Sequence, residues 1–306
     1  MKTVILGAAC GYTIEQLKPF LASCHEAIPN SDVFIFYHRD DAQAVAEAKA
    51  ACPSVTLIRP GDISLRYWLN RFRRGRRRLS EMALSYGKKR SAKRRVELCS
   101  DHFVTLGYGV AIARYLWYLD WYLQQKPGVY GKVLLADTRD VFFQADPFDH
   151  QSDKPIFTGE ECLEMGKCQV NGDWYVQVFG EDEYRQIGEK LILCSGVTGG
   201  EFEAMGDYLR AFCQVIFDAG NRIVRANGYD QAVHNHLLRF TPMGERVELC
   251  AEGSDRLVTL HHLSSKAISF EPPCTVKTAA GELISIVHQY DRNPKLTDAI
   301  NRRYFV

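Results

Sequence analysis

The stretch Val133–Phe148, VLLADTRDVFFQADPF, constrains the fold more than any other. Its opening run Val133-Leu134-Leu135-Ala136 reads as a short buried strand. The run stops at Asp137, and a second carboxylate follows at Asp140. A charge at the exit of a buried strand is costly unless something compensates it. In open α/β sheets, ligands sit just past the carboxyl ends of the strands. Two carboxylates there suit a hard divalent cation, Mg²⁺ or Mn²⁺, which takes oxygen ligands and bridges to phosphates. The plainer reading has Asp137 capping the next turn and Asp140 as a solvated surface charge, since D-x-x-D is a common spacing.

The segments before this stretch set the fold class. Thr3 to Cys10 predicts a first strand. Thr13 is placed to cap a helix whose Ile14, Leu17, Leu21, Cys24 and Ile28 share one face, with Pro19 inside it as a source of a kink. Asp32–Tyr37 predicts a second strand, Asp40-Asp41 opens an Ala-rich helix to Ala51, and Val55–Ile58 predicts a third strand. Strand alternating with helix argues for an α/β chain with a mostly parallel sheet and right-handed crossovers. The first turn lacks G-x-G-x-x-G, which disfavours a nicotinamide dinucleotide site.

Charge is distributed unevenly. Arg66–Arg95 holds thirteen Lys or Arg against the single acid Glu81, a net +12, which leaves −11 for the remainder of a chain whose total is +1. Residues 66–95 therefore read as a basic helical insertion in a single domain spanning 1–306. Its interleaved Tyr67, Trp68, Leu69 and Phe72 admit three readings: a solvated helical arm, contact with an anionic membrane surface, or capture of an anionic acceptor. Nucleic acid ranks lowest, because the basic patch is local and the rest of the chain is acidic. No run of about 18 apolar residues predicts a membrane span. The start, MKTVILGAACGY, reads as a core strand and not a signal peptide. Ten scattered cysteines without a C-x-x-C pair suit reduced thiols in a cytoplasmic protein, with the inner face of the membrane as the peripheral option.

Downstream, the spacing predicts a helix over Asp101–Gln125 with Arg114 near the middle of its apolar surface. Arg114 either snorkels to water or aims at the Asp137 carboxylates or a phosphate. Pro155–Gly159 and Trp174–Phe179 read as strands. Leu191–Gly200 reads as a buried strand ending in Ser195-Gly196, whose glycines let backbone approach a ligand closely. Glu201–Ala219 predicts an amphipathic helix, and Gly228-Tyr229-Asp230-Gln231 starts another, with Asp230 as either a cap or a site carboxylate. Leu283–Val287 predicts a strand ending in His288, and His261-His262 forms a second histidine candidate.

The order of these segments resembles the glycosyltransferase A fold, a Rossmann-like mixed and mostly parallel sheet flanked by helices. In particular it resembles glycosyltransferase family 8, which includes glycogenin and bacterial lipooligosaccharide galactosyltransferases. That family's metal strand ends in D-x-D-T; here Leu135-Ala136-Asp137-Thr138 takes its place, with Leu135 for the first aspartate. Cys194-Ser195-Gly196-Val197 resembles its N-[AS]-G-V strand end, and Asp230-Gln231 with Asn235 matches its D-Q-x-x-x-N helix start. The G-x-x-K-P-W string is absent.

The resemblance implies a metal site of Asp137, Asp140 and His288. It implies contacts to a nucleotide-sugar from Ala8, Ala9, Tyr12, Arg114, Ala136, Ser195, Gly196, Arg292 and Lys295. It assigns Asp230 as the carboxylate beside the reacting sugar carbon and Gln231 as the residue orienting the donor sugar. The function it implies is a metal-dependent, retaining hexosyl transfer from a nucleoside-diphosphate sugar, UDP-sugar first, to a glycan or glycolipid acceptor. Two rivals stand beside it. One is a sugar nucleotidyltransferase, disfavoured because Gly7–Thr13 has no basic residue to hold a triphosphate. The other is a non-catalytic membrane- or polyanion-binding protein on the same fold, which the Leu135 replacement keeps open.

Overall fold

The computed structural model describes residues 1–64, 82, 105–225, 229–264 and 266–305. The basic segment 66–95 lies outside the described residues apart from Met82, as do 101–104 at the start of the expected helix. The strands are β1 (Lys2–Ala8), β2 (Ser31–Phe36), β3 (Val55–Ile58), β4 (Tyr130–Asp137), β5 (Val141–Phe143), β6 (Ile156–Glu164), β7 (Leu191–Glu201), β8 (Val247–Cys250), β9 (Leu257–Thr259), β10 (Ile268–Glu271), β11 (Thr275–Thr278) and β12 (Ile286–His288). The α-helices are α1 (Ile14–Ala27), α2 (Ala42–Ala51), α3 (Val110–Leu123), α4 (Gln169–Phe179), α5 (Glu181–Ile187), α6 (Phe202–Ala219), α7 (Tyr229–Phe240) and α8 (Pro294–Tyr304).

Seven strands form the main sheet in the order β3-β2-β1-β4-β7-β6-β8. The pairs β3-β2, β2-β1, β1-β4 and β6-β8 are parallel, whereas β7 runs antiparallel to both β4 and β6. The fold class is therefore α/β with a mixed, mostly parallel sheet. Alternate residues of the central strands feed two cores, as a period of two requires. Val4, Leu6, Val133 and Leu135 face the layer built by α3 and α6, while Ile5, Leu134 and Ala136 face α1 and α2.

Local chemistry explains the helix starts. Thr13 and Gln16 form a reciprocal capping box, the Gln16 N–H donating to Thr13 Oγ1 at 3.3 Å and the Thr13 N–H to Gln16 Oε1 at 2.9 Å. Pro19 sits inside α1. Asp41 caps α2 by accepting from the Ala44 N–H at 3.1 Å.

One expected strand is a helix. Trp174–Phe179 belongs to α4, whose buried positions Asn171, Gly172, Tyr175 and Val178 recur at helical spacing. Read over six residues, its apolar content looks like a strand; packing against α7, with Tyr175 Oη 3.3 Å from His236 Nδ1, decides for helix. The strand near the C-terminus is shorter than Leu283–Val287 and shifted, beginning at Ile286 and including His288.

A second, three-stranded sheet, β5-β12-β9, stands beside the first. It pairs His288 with Val141 on one side and with Thr259 on the other. That register carries two distant segments to the carboxyl end of β4. No helix among the described residues is long and apolar enough to cross a membrane.

Candidate active site

Asp137 is the last residue of β4 and pairs with Ala8, the last residue of β1. Both strand ends open into a cleft of about 530 Å³. Its walls are Ala8, Cys10, Tyr12, Val110, Ala111, Arg114, Asp137, Thr138, Arg139, Asp140 and Asp230. Thr138 closes over the β1 end, its hydroxyl donating to the Ala8 carbonyl at 3.1 Å, and its methyl occupies the space a side chain at Gly7 would need.

Arg114 is the hub. It is buried in α3, and its guanidinium forks between two carboxylates, Nη1 on Asp137 Oδ1 and Nη2 donating to Asp230 Oδ2 at 2.9 Å. Burial alone would raise the Asp137 carboxyl; Arg114 and then His288 outweigh it and hold Asp137 well below the usual carboxylate range. Burial raises Asp230, and Arg114 offsets only part of that rise. Ser195 Oγ donates to the same Asp230 oxygen at 3.4 Å, and Tyr115 Oη anchors the strand by donating to the Ser195 carbonyl at 3.1 Å.

Three side chains fit a divalent cation. Ligand atoms of Asp137, Asp140 and His288 lie within 4.8 Å of one another. His288 Nε2 is 3.7 Å from Asp137 Oδ2 and 4.0 Å from Asp140 Oδ1. The His288 ring is 1% exposed, and its Nε2 has no hydrogen-bond partner, an expensive state for a buried polar atom that a cation would relieve. Nδ1 faces Thr259 Oγ1 at 3.4 Å and Cys194 Sγ at 3.5 Å, which orients the ring. Gly196 is required here, because a Cβ would strike the His288 ring and lie 2.9 Å from Asp137 Oδ2. Leu135 is in the core on the α3 side, so Asp140, brought opposite His288 by the β5–β12 pairing, supplies the second carboxylate.

The remaining expected residues distribute differently. Ala8 and Tyr12 line the cleft, but the Ala9 and Ala136 side chains are in the core on the α1 side. Arg292 and Lys295 are exposed and do not line the cleft; Arg292 Nε lies 3.8 Å from Asp291. Gln231 does not line the cleft: its amide donates to Glu161 Oε1 at 3.0 Å and Asn171 Oδ1 at 2.8 Å. Asn235 is structural, tying α7 to β7 through two hydrogen bonds with the Leu193 backbone.

Sequence reasoning missed Arg139, which lines the cleft between Asp140 and Asp291, and Glu161, a carboxylate 1% exposed on β6. Arg139 sits inside the singled-out stretch and was readable as the cation between its two aspartates. Glu161 lies in an acidic strand, GEECLE, with nothing local to mark it as buried.

No protein-family model matches the sequence, and no curated protein sequence does. Solved structures do. A galactosyltransferase, LgtC, in complex with donor and acceptor sugar analogues, superposes with a TM-score of 0.51 at 12% identity over 98% of this chain and 95% of that one. The chain has the glycosyltransferase A fold. An active-site variant of LgtC agrees, with a TM-score of 0.50, 11% identity and the same coverage. A core-mannan synthase from Aspergillus fumigatus in its Mn/GDP form follows at a TM-score of 0.44 and 10% identity, covering 81% of this chain and 72% of that one.

Proposed function

We propose that this chain is a divergent, metal-dependent glycosyltransferase that moves a sugar from a nucleoside-diphosphate donor, UDP-sugar first, to a glycan or glycolipid acceptor. The observation that carries this reading is the buried His288 Nε2, without a hydrogen bond, facing Asp137 and Asp140 beside a cleft lined by Arg114 and Asp230. The LgtC complex, with its donor and acceptor sugar analogues, supports the same reaction class.

The donor's nucleoside would rest against Ala8, Cys10 and Tyr12, where the β1 end opens into the cleft. When bound by Asp137, Asp140 and His288, Mn²⁺ or Mg²⁺ would neutralise charge growing on the departing diphosphate. Arg139, on the same wall, would add a cation of the chain's own to that charge, on leaving its present partner Asp291. Arg114 keeps Asp137 ionised, ready to act as a ligand. Asp230, held by Arg114 and Ser195, would stabilise positive character at the sugar carbon. The bond from that carbon to the diphosphate breaks, a bond to the acceptor oxygen forms, and the acceptor proton leaves with the diphosphate. Retention of configuration follows the family resemblance. Gln231 would orient the donor sugar by exchanging one of its hydrogen bonds to Glu161 or Asn171 for a sugar hydroxyl, and the basic segment 66–95 would hold the chain at an anionic membrane face.

Thermal unfolding with UDP-, GDP- and CDP-sugars, in Mn²⁺ and in EDTA, tests this. A true donor at a hundredfold excess over its Kd adds about 2.7 kcal/mol to the folded state. The rise should appear for one nucleotide and vanish with EDTA and in Asp137→Ala. No rise with any sugar nucleotide in well-folded, Mn²⁺-loaded protein would return the reading to a binding protein on this fold.

A further inference from the structure

Apart from Asp137, Asp140 and His288 there is a second cluster, Glu161, His261 and His262, whose side chains the proposed transfer does not use. Glu161 on β6 is fully buried, and its two oxygens are treated unequally. Oε1 accepts from Gln231 at 3.0 Å, whereas Oε2 receives no hydrogen bond. A buried carboxylate oxygen left in that state costs more than an ordinary hydrogen bond returns. Oε2 is aimed at His261, with Nδ1 3.8 Å away, and ligand atoms of Glu161, His261 and His262 all fall within 4.8 Å of one another.

The backbone brings these rings to one side. Consecutive residues in extended chain point oppositely. Here His262 takes φ 66°, in the left-handed region, and the two rings lie with centroids 3.7 Å apart. The turn that does this follows directly from β9, and the Leu260 N–H donating to the His288 carbonyl at 3.0 Å ties it to the first site.

We propose that Glu161, His261 and His262 form a second metal site, one that takes a nitrogen-preferring transition ion such as Zn²⁺, with an outward position left for water. The donor sets differ in kind. Two carboxylates and one imidazole at Asp137 suit Mn²⁺ or Mg²⁺, while one carboxylate and two imidazoles match the three-ligand, open-position arrangement of zinc. An ion on Oε2 would brace the carboxylate whose other oxygen holds Gln231, so occupancy would be felt at Gln231 without contact to the donor.

The experiment titrates Zn²⁺ into the full chain already loaded with Mn²⁺, by calorimetry and by metal analysis after gel filtration. The expected result is about one Zn²⁺ per chain in Asp137→Asn and in His288→Ala, where the first site is disabled, and a second Zn²⁺ in the unaltered chain as Zn²⁺ displaces Mn²⁺. Affinity should fall in His261→Ala and His262→Ala by at least the ~10–100-fold that loss of even an outer partner brings. His262 is exposed, so H262A keeps the test decisive if a change at the buried Glu161 prevents folding. Co²⁺ in place of Zn²⁺ should give weak visible bands without thiolate charge transfer. Zn²⁺ binding unchanged in both histidine variants, or lost in H288A, overturns the proposal. So does a thiolate band, which would move the ion to Cys194 or Cys162.

Discussion

Asp137 and Asp230, on one side of the β7 end, share a buried arginine; Glu161, on the other side, shares its carboxylate with a glutamine amide and two histidines. Both groups are taken out of water by the same sheet. The first is compensated by a cation that arrives with the fold, so Asp137 stays ionised whatever is bound. The second is met first by the Gln231 amide, and burial raises the Glu161 carboxyl with Gln231 opposing only part of it. A buried carboxylate that carries its own counter-charge stays ionised with or without a bound ion, and one that does not depends on a partner from outside to be ionised.

Arg114→Met should break the first side hardest. It leaves two carboxylates facing each other without their cation, and a loss of about 3–5 kcal/mol in urea unfolding at neutral pH is expected. Adding Asp230→Asn should restore part of that loss; a cost under about 1 kcal/mol for the single variant would show that water, not Arg114, compensates the pair.

Gly196→Ala tests the shared boundary. Its Cβ presses on His288, so the expected cost is about 1–3 kcal/mol of overpacking and a raised Mn²⁺ requirement. An unchanged requirement would separate His288 from the ion.

The pairing of opposites continues one turn along α7, where His234 is kept neutral. Burial lowers its pKa from 6.5 to about 3. Between those values the unfolded chain takes the proton and the folded chain does not, so stability is lost as pH falls below 6.5. The slope from this residue is at most about 1.4 kcal/mol per pH unit. His234→Gln should flatten the stability curve just below neutrality, and an unchanged slope would mean that the ring is protonated in the folded state.

Glu161→Gln should cost least, about 1 kcal/mol or less, because no cation of the chain loses its partner. A cost matching that of Arg114→Met would erase the contrast between the two sides.

Much of this was readable in advance. The Asp137 strand end, the arginine on the preceding helix, Asp230 at a helix start and Ser195-Gly196 after a buried strand all carry local marks, and Arg114, Asp137, Ser195 and Asp230 meet in the structure. Arg292 and Lys295 were placed by analogy of spacing alone, and they stand outside the cleft. Glu161 carried no mark, because GEECLE reads as a polar edge until β7 pairs alongside it, with Glu160 opposite Leu193.

By itself the sequence determined the order of the strands and helices up to β3 and the buried character of β4, because apolar runs and helical spacing report burial residue by residue. Only the tertiary structure decided which charges share a partner. Arg114 lies 23 residues from Asp137 and 116 from Asp230, and Asp140 meets His288 through the register of a small second sheet. Such meetings depend on how separate strands align, and no pattern within one strand encodes where its neighbour will be.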